Sequence, residues 1–206
     1  MNRYQKLRYI RGAYERLMHE MEQRGIRIGS VEGGGFWTQT RFEHAIPFLE
    51  VALMNGWIPK SGPIVDAGSG DGRMSALFEV YGLVPALNIE LDRKLVEVSH
   101  DVIEDLRRQG IVNGSIHNVH GDFTTPEPYE IAGFPFPTVR TFYMGINSSP
   151  LERLAEKIAR ESPEGTKLIV HGMFDESYGP KVPRRLGLEH KVRTPDMVAD
   201  FYVYST

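Results

Sequence analysis

The chain has 206 residues, with 24 Lys/Arg against 27 Asp/Glu and a formal net charge of -3, so it is long enough to bury one sizeable core without covalent staples. It contains no cysteine, which excludes disulfides, thiolate-zinc sites and cysteine nucleophiles. The acidic balance argues against whole-surface attraction to nucleic acid. No apolar run approaches the ~20 residues of a membrane span, and Met1 to Ile10 lacks a leader's apolar stretch, so a soluble cytoplasmic protein is expected.

Leu7, Ile10, Tyr14, Leu17, Met18 and Met21 recur at helical spacing before Gly25, which predicts an amphipathic helix over 2–24. Residues 1–27 carry seven cations (Arg3, Lys6, Arg8, Arg11, Arg16, Arg24, Arg27) against three anions (Glu15, Glu20, Glu22), leaving the segment near +4. That pattern suits either a basic face for an acidic partner or an ordinary solvated helix face. Gly29 and the triplet Gly33-Gly34-Gly35 mark 26–36 as a mobile connection. Residues 1–60 are therefore expected to form a helical extension or lid ahead of a main domain, 61–206. Thr40-Arg41-Phe42-Glu43 has capping-box spacing and predicts a second helix ending near Gly56, with Pro47 tolerated near its start.

From Gly62 the pattern alternates: strand to Ala67, helix 73–81, strand 84–90, helix 92–109, strand 115–120. A Pro/Gly-rich loop, 124–137, precedes a fourth strand, 138–146. Ser149, Pro150 and Glu152 open the next helix, a fifth strand runs over 166–172, and 188–194 with 197–204 form a closing hairpin. Such alternation predicts an α/β fold with a doubly wound, mostly parallel sheet.

The most informative stretch is Ile64-Val65-Asp66-Ala67-Gly68-Ser69-Gly70-Asp71-Gly72-Arg73. Its glycines allow positive φ and let backbone amides approach a ligand. A phosphate-cradling P-loop would need Gly-Lys-Ser/Thr, which is absent, and the third glycine of a G-x-G-x-x-G fingerprint is replaced by Arg73. Two further acids follow in order: Glu90 at the end of the second strand, and Asp122 within Gly121-Asp122-Phe123 after the third.

Asp66-x-Gly68-x-Gly70-x-Gly72, Glu90 and the Gly-Asp-aromatic element together resemble class I S-adenosylmethionine-dependent methyltransferases. The resemblance implies a Rossmann-like seven-stranded sheet whose final strand inserts antiparallel, and S-adenosyl-L-methionine as cofactor. Asp66, Gly68, Gly70, Gly72, Glu90, Asp122 and Phe123 would bind it, Glu90 through the ribose hydroxyls and Asp122 through the adenine amine. The short stretch after the fifth strand implies that a late helix of the family is missing.

For the methyl acceptor, the end of the fourth strand is the informative position. Enzymes that methylate nucleobase amines resemble Asn/Asp-Pro-Pro-aromatic there, whereas this chain has Asn147-Ser148-Ser149-Pro150, which lowers base methylation. Trp37-Thr38-Gln39-Thr40 and Phe142-Tyr143-Met144-Gly145-Ile146-Asn147 are similar instead to small archaeal protein-lysine methyltransferases and related non-SET histone-lysine enzymes. That likeness adds Trp37 and Thr40 to the donor site and makes Phe36, Trp37, Tyr143 and Asn147 an acceptor channel, with Tyr143 and Asn147 as catalytic candidates. Plainer readings stand beside these: Tyr143 as core, Phe36-Trp37 as packing for the first helix. A protein lysine or a small molecule is the expected acceptor. A methyltransferase for a metabolite or RNA and a non-catalytic donor-binding module are the alternatives. His171, near the end of the fifth strand, is either a base at the crevice or a structural histidine. His100, His117 and His120 lack metal-ligand spacing, so no metal is expected. Asp175, Glu176 and Tyr178 are candidates for holding a cationic substrate, or surface residues.

Overall fold

The computed structural model describes residues 1–23, 25–26, 29–30, 36–37, 39–145, 148–172, 187, 189–193 and 200–206, the side chains of 29–30, 36–37, 148–149, 190–193 and 200 excepted. In chain order the elements are α1 (Arg3–Gln23), β1 (Gly29–Ser30), β2 (Phe36–Trp37), α2 (Phe42–Met54), β3 (Ile64–Ala67), α3 (Arg73–Val80), β4 (Ala86–Glu90), α4 (Arg93–Arg108) and β5 (Ile116–His120). There follow α5 (Glu127–Ala132), a 3-10 turn (Phe136–Thr138), β6 (Thr141–Gly145), α6 (Ser148–Glu161), β7 (Lys167–Gly172), β8 (Glu189–Arg193) and β9 (Asp200–Ser205).

Seven strands form one sheet in the order β5-β4-β3-β6-β7-β9-β8. The pairs β4–β5, β3–β4, β3–β6 and β6–β7 are parallel, while β9 runs antiparallel between β7 and β8. This is the doubly wound, mostly parallel sheet that the alternation predicts, with the antiparallel closing strand that the resemblance implied. The chain builds outward from β3 to β5 and then returns to place β6 on the other side of β3. That reversal makes the carboxyl ends of β3 and β6 the topological switch point of the sheet, the place where open α/β sheets bind ligands.

Alternation along each strand sorts side chains onto two faces. On one face Ile64, Tyr143, Ile169 and Phe201 meet α1, α2, α3 and α4 through Tyr14, Phe48, Phe78 and Val98. On the other, Val65, Leu87, Phe142 and Val170 meet Tyr129, Phe136, Leu154 and Ile158. Helix α1 buries Ile10, Ala13, Tyr14, Leu17 and Met21 in the first of these clusters, so the segment expected as an extension shares its core with α3 and α4. The glycine triplet at 33–35, on which the lid expectation centres, lies outside the described residues, as does 173–186, where the late helix was expected to be missing.

Two local expectations need correction. Thr40 does not cap α2: the N-cap is Arg41, whose side chain makes no capping hydrogen bond, and the Thr40 hydroxyl instead meets the buried Tyr143 hydroxyl at 3.3 Å. A phenol sunk in a central strand requires a partner, and that demand outweighs the cap. Residues 124–137 are not loop throughout, because Glu127–Ala132 is helical between Pro126 and Gly133. Proline at a first helical position loses no intrahelical bond, so Pro126 and Pro128 start this helix where they look like breakers in the sequence. No helix among the described residues is long and apolar enough to cross a membrane.

Candidate active site

The glycine loop leaves β3 with Gly68, Gly70 and Gly72 at φ +76°, +55° and +77°. Gly68 and Ser69 both donate their amides to the Ile89 carbonyl, at 2.9 and 3.2 Å. Gly70 N donates to Glu90 Oε2 at 2.8 Å, and Asp92 N donates to Glu90 Oε1 at 2.9 Å. The Glu90 carbonyl in turn accepts from Gly121 N at 3.0 Å. One residue thus ties the glycine loop, the β4–α4 turn and the end of β5 together. Burial pushes the Glu90 carboxyl above its ordinary value, and the amides donating to it oppose that rise.

The third element closes on the same place. The Phe123 ring lies against Gly68, 3.8 Å from where a Cβ would stand. Asp122 Oδ1 accepts from Thr124 N at 2.8 Å and Thr124 Oγ1 at 2.7 Å, and the Tyr129 hydroxyl donates to the Phe123 carbonyl at 2.7 Å. Asp66 is 2% exposed, and its Oδ2 has no hydrogen-bond partner among the described residues. Burial, then Asp71 and Glu90, push its carboxyl well above the usual range. A buried carboxyl oxygen left unpaired beside a glycine loop fits a ligand that brings an ammonium or hydroxyl, as the amino-acid end of adenosylmethionine would. The residues at the ends of β3, β4 and β5 therefore suit that donor: Asp66 and the glycine amides for its amino-acid end, Glu90 for its ribose, Asp122 and Phe123 for its adenine.

Gly72 is fixed by space as well as by φ. A Cβ there would stand 2.1 Å from Ser99 Oγ and 3.0 Å from Asn88 Nδ2. Both belong to a buried polar cluster in which Asn88 Nδ2 and Ser99 Oγ donate to Asn118 Oδ1 at 2.6 and 3.0 Å, while Ser75 Oγ donates to Asn88 Oδ1. Gly72→Ala is expected to destabilise by about 2–4 kcal/mol, adding left-handed backbone strain to overpacking. Urea unfolding checks it: the midpoint should fall with unchanged slope, and an unmoved midpoint contradicts the geometry.

Asp71 has no place in the sequence motif, and Arg73 stands there only where a dinucleotide loop would need glycine. The two form an ion pair, Arg73 Nε to Asp71 Oδ1 at 3.0 Å and Nη2 to Oδ2 at 2.5 Å, with Asp71 2% and Arg73 5% exposed. The guanidinium lies over the rings of Tyr14 and Phe42 at 5.2 and 5.4 Å, and Nη1 donates to the Thr40 carbonyl at 3.2 Å. The Tyr14 hydroxyl donates to the Asp71 carbonyl at 3.2 Å. Helices α1 and α2 are thereby pinned to the glycine loop. A charged pair flanking the third glycine was the available signal.

Tyr143 is 1% exposed and packs edge-on against Phe78. Burial holds its phenol far above the usual range, so at neutral pH it is a hydrogen-bonding hydroxyl rather than a base. Thr40 stands between Tyr143 and Arg73. The side chains of Phe36 and Trp37, together with Asn147, Asp175, Glu176 and Tyr178, lie outside the described residues. His120 Nε2 is 2.9 Å from the Leu91 carbonyl, and His117 packs edge-on against Phe134. No group of three metal-ligating side chains occurs among the described residues.

No family model matches the chain. It is 24% identical over 148 residues to the ribosomal protein L11 methyltransferase of Neisseria meningitidis serogroup C, a match covering 72% of this chain and 42% of that enzyme. The chain thus spans less than half the length of that curated relative. A methyltransferase from Aquifex aeolicus, solved and described as S-adenosylmethionine-dependent, superposes with TM-score 0.58 at 15% identity, covering 82% of this chain and 93% of that one. An RNA methyltransferase from Salinibacter ruber, solved with S-adenosyl-L-homocysteine, superposes with TM-score 0.55 at 16% identity and the same coverage. The chain has the Rossmann-like fold of these S-adenosylmethionine-dependent methyltransferases.

Proposed function

We propose that the protein is an S-adenosylmethionine-dependent methyltransferase acting on an amine, with a protein lysine as the acceptor. The observation that carries the donor half is Glu90: its carboxylate is held by the amides of Gly70 and Asp92 at the mouth of the glycine loop, between Asp66 and Asp122. The support for the lysine half is in the sequence, where an apolar β6 leads to Asn147 without the Pro-Pro-aromatic that follows in nucleobase-amine enzymes. Similar proteins do not narrow the acceptor, since their names specify a ribosomal protein in one case and RNA in another.

The donor's sulfonium supplies an already activated methyl group, so the chain's work is alignment and exclusion of water. The glycine loop and Glu90 fix the donor over β3 and β4, and Asp122 with Phe123 fixes its far end over β5. The acceptor must then come from the other side of the switch point, over β6 and β7. A lysine ammonium has first to lose its proton, which an apolar channel favours by disfavouring the charge. In this reading the Asn147 carbonyl orients the resulting amine.

Incubation with methyl-labelled donor and separate pools of protein, RNA and metabolites tests the proposal. Label should enter protein lysines. Asn147→Ala should lower turnover far more than donor affinity, as expected for an interaction made chiefly during transfer. Label confined to RNA or small molecules would refute the lysine reading and leave the methyltransferase one standing.

A further inference from the structure

With the donor's contacts assigned to the ends of β3, β4 and β5, what stands at the ends of β6 and β7 faces the acceptor. On β7 that residue is His171, paired in register with Gly145 of β6 and with Phe201 of β9. It follows Ile169 by two residues, so it projects to the face that also carries Asp66, Tyr143 and the start of α3. Two strand spacings separate β3 from β7, roughly 10 Å, which is the scale of a small group placed between donor and imidazole.

The setting of His171 is unusual in one respect. The ring stacks on Phe201 with centroids 4.3 Å apart, Phe201 stacks on Phe48 at 3.8 Å, and His44 of α2 meets His171 edge-on at 6.0 Å. The residue is only 8% exposed, and its Nε2 has no hydrogen-bond partner among the described residues. A buried polar atom without a partner costs stability, and an apolar ring of similar size would fill the same stack without that cost. Burial and the neighbouring His44 hold the imidazole neutral, lowering its pKa to about 4.

We infer that His171 Nε2 is the acceptor-side hydrogen-bonding group of this site, receiving an N–H of a neutral amine whose lone pair faces the donor methyl. The inference rests on the amine-methyltransferase reading above. In the transfer step the nitrogen lone pair forms the new N–C bond, the C–S bond breaks, and its electron pair stays on sulfur as a neutral thioether. The product nitrogen carries the positive charge and later releases its N–H proton to water. His171 orients the amine and takes no proton, which suits so weakly basic an imidazole. Its aromatic surroundings exclude water and offer an ammonium no anionic partner, so desolvation favours entry of the deprotonated amine. Nε2 is itself buried, so entry of the amine requires a local opening.

The test compares wild type with His171→Phe and His171→Gln in three measurements: label transfer from methyl-labelled donor to the protein, RNA and metabolite pools, calorimetric affinity for S-adenosylhomocysteine, and thermal midpoint. His171→Phe should transfer about 10²-fold more slowly, the scale for losing an orienting contact. Its affinity for S-adenosylhomocysteine should stay within about twofold of wild type, since the donor lies over other strands, and its midpoint should be equal or higher, since an unpaired buried group is gone. His171→Gln, whose Oε1 can accept near the Nε2 position, should recover part of the rate. Wild-type transfer rates in His171→Phe, a rate loss that only tracks a lowered midpoint, or a glutamine variant no faster than phenylalanine would each overturn the inference alone. A wild-type protein that binds no S-adenosylhomocysteine, or labels no pool, would overturn the methyltransferase reading and this one with it.

Discussion

Glu90→Ala is expected to weaken binding of S-adenosylhomocysteine by about 1–3 kcal/mol, the range for removing one side of a charged hydrogen-bonded pair. The geometry adds a second effect. Both carboxylate oxygens already accept buried amides, from Gly70 and Asp92, so truncation strands two donors as well as removing the ribose contact. Each stranded amide costs about 1–3 kcal/mol, and the thermal midpoint should drop by several degrees even without ligand. Calorimetry and melting curves on the same preparation separate the two effects. Unchanged affinity, or binding of NAD in place of the adenosyl ligand, would contradict the donor assignment.

Arg73→Met is expected to destabilise by about 3–5 kcal/mol, because it leaves the Asp71 carboxylate buried without its counter-charge. The substitution keeps much of the side-chain volume over Tyr14 and Phe42, so the loss reports charge and hydrogen bonding more than packing. Converting Asp71 to Asn in the same chain should recover a large part, and the double-mutant cycle gives the coupling directly. A fall in thermal midpoint of roughly 6–20 °C is expected for a domain of this size. A midpoint within a degree or two of wild type would show that the pair is solvated and that the helices are not held through it.

The sheet was legible because each apolar run ends in turn residues and is followed by a helical period, a pattern that allows little besides parallel crossovers. The glycine loop was legible for a different reason: Gly68, Gly70 and Gly72 occupy positions that other residues fit poorly, and at Gly72 the neighbouring Ser99 and Asn88 leave no room for a side chain. What escaped the sequence depended on partners distant along the chain. Arg73 looks like an ordinary first-turn residue until Tyr14 and Thr40 are brought against it. Thr40 has the spacing of a cap, and only the arrival of Tyr143 from β6 shows where its hydroxyl goes. The short helix Glu127–Ala132 was hidden by its two prolines, whose effect changes sign between the first turn and the interior of a helix. Met18 and Met21 of α1 follow the helical period whether that helix is an appendage or part of the core, and periodicity cannot distinguish the two.

The order in which strands join the sheet has a consequence for how the protein is made. Among the described residues β8 pairs only with β9, and β9 comes later in the chain. During synthesis, which releases the chain from its N-terminus, β7 therefore remains an unpaired edge until Asp200–Ser205 has emerged. The half of the crevice assigned to the donor, from Asp66 to Phe123, is by then already available to fold. The imidazole of His171 acquires its stacking partner Phe201 only when that last strand slots in. A stalled or truncated chain would thus tend to present a formed glycine loop beside an open, apolar strand edge, prone to pairing with another copy before β9 covers it.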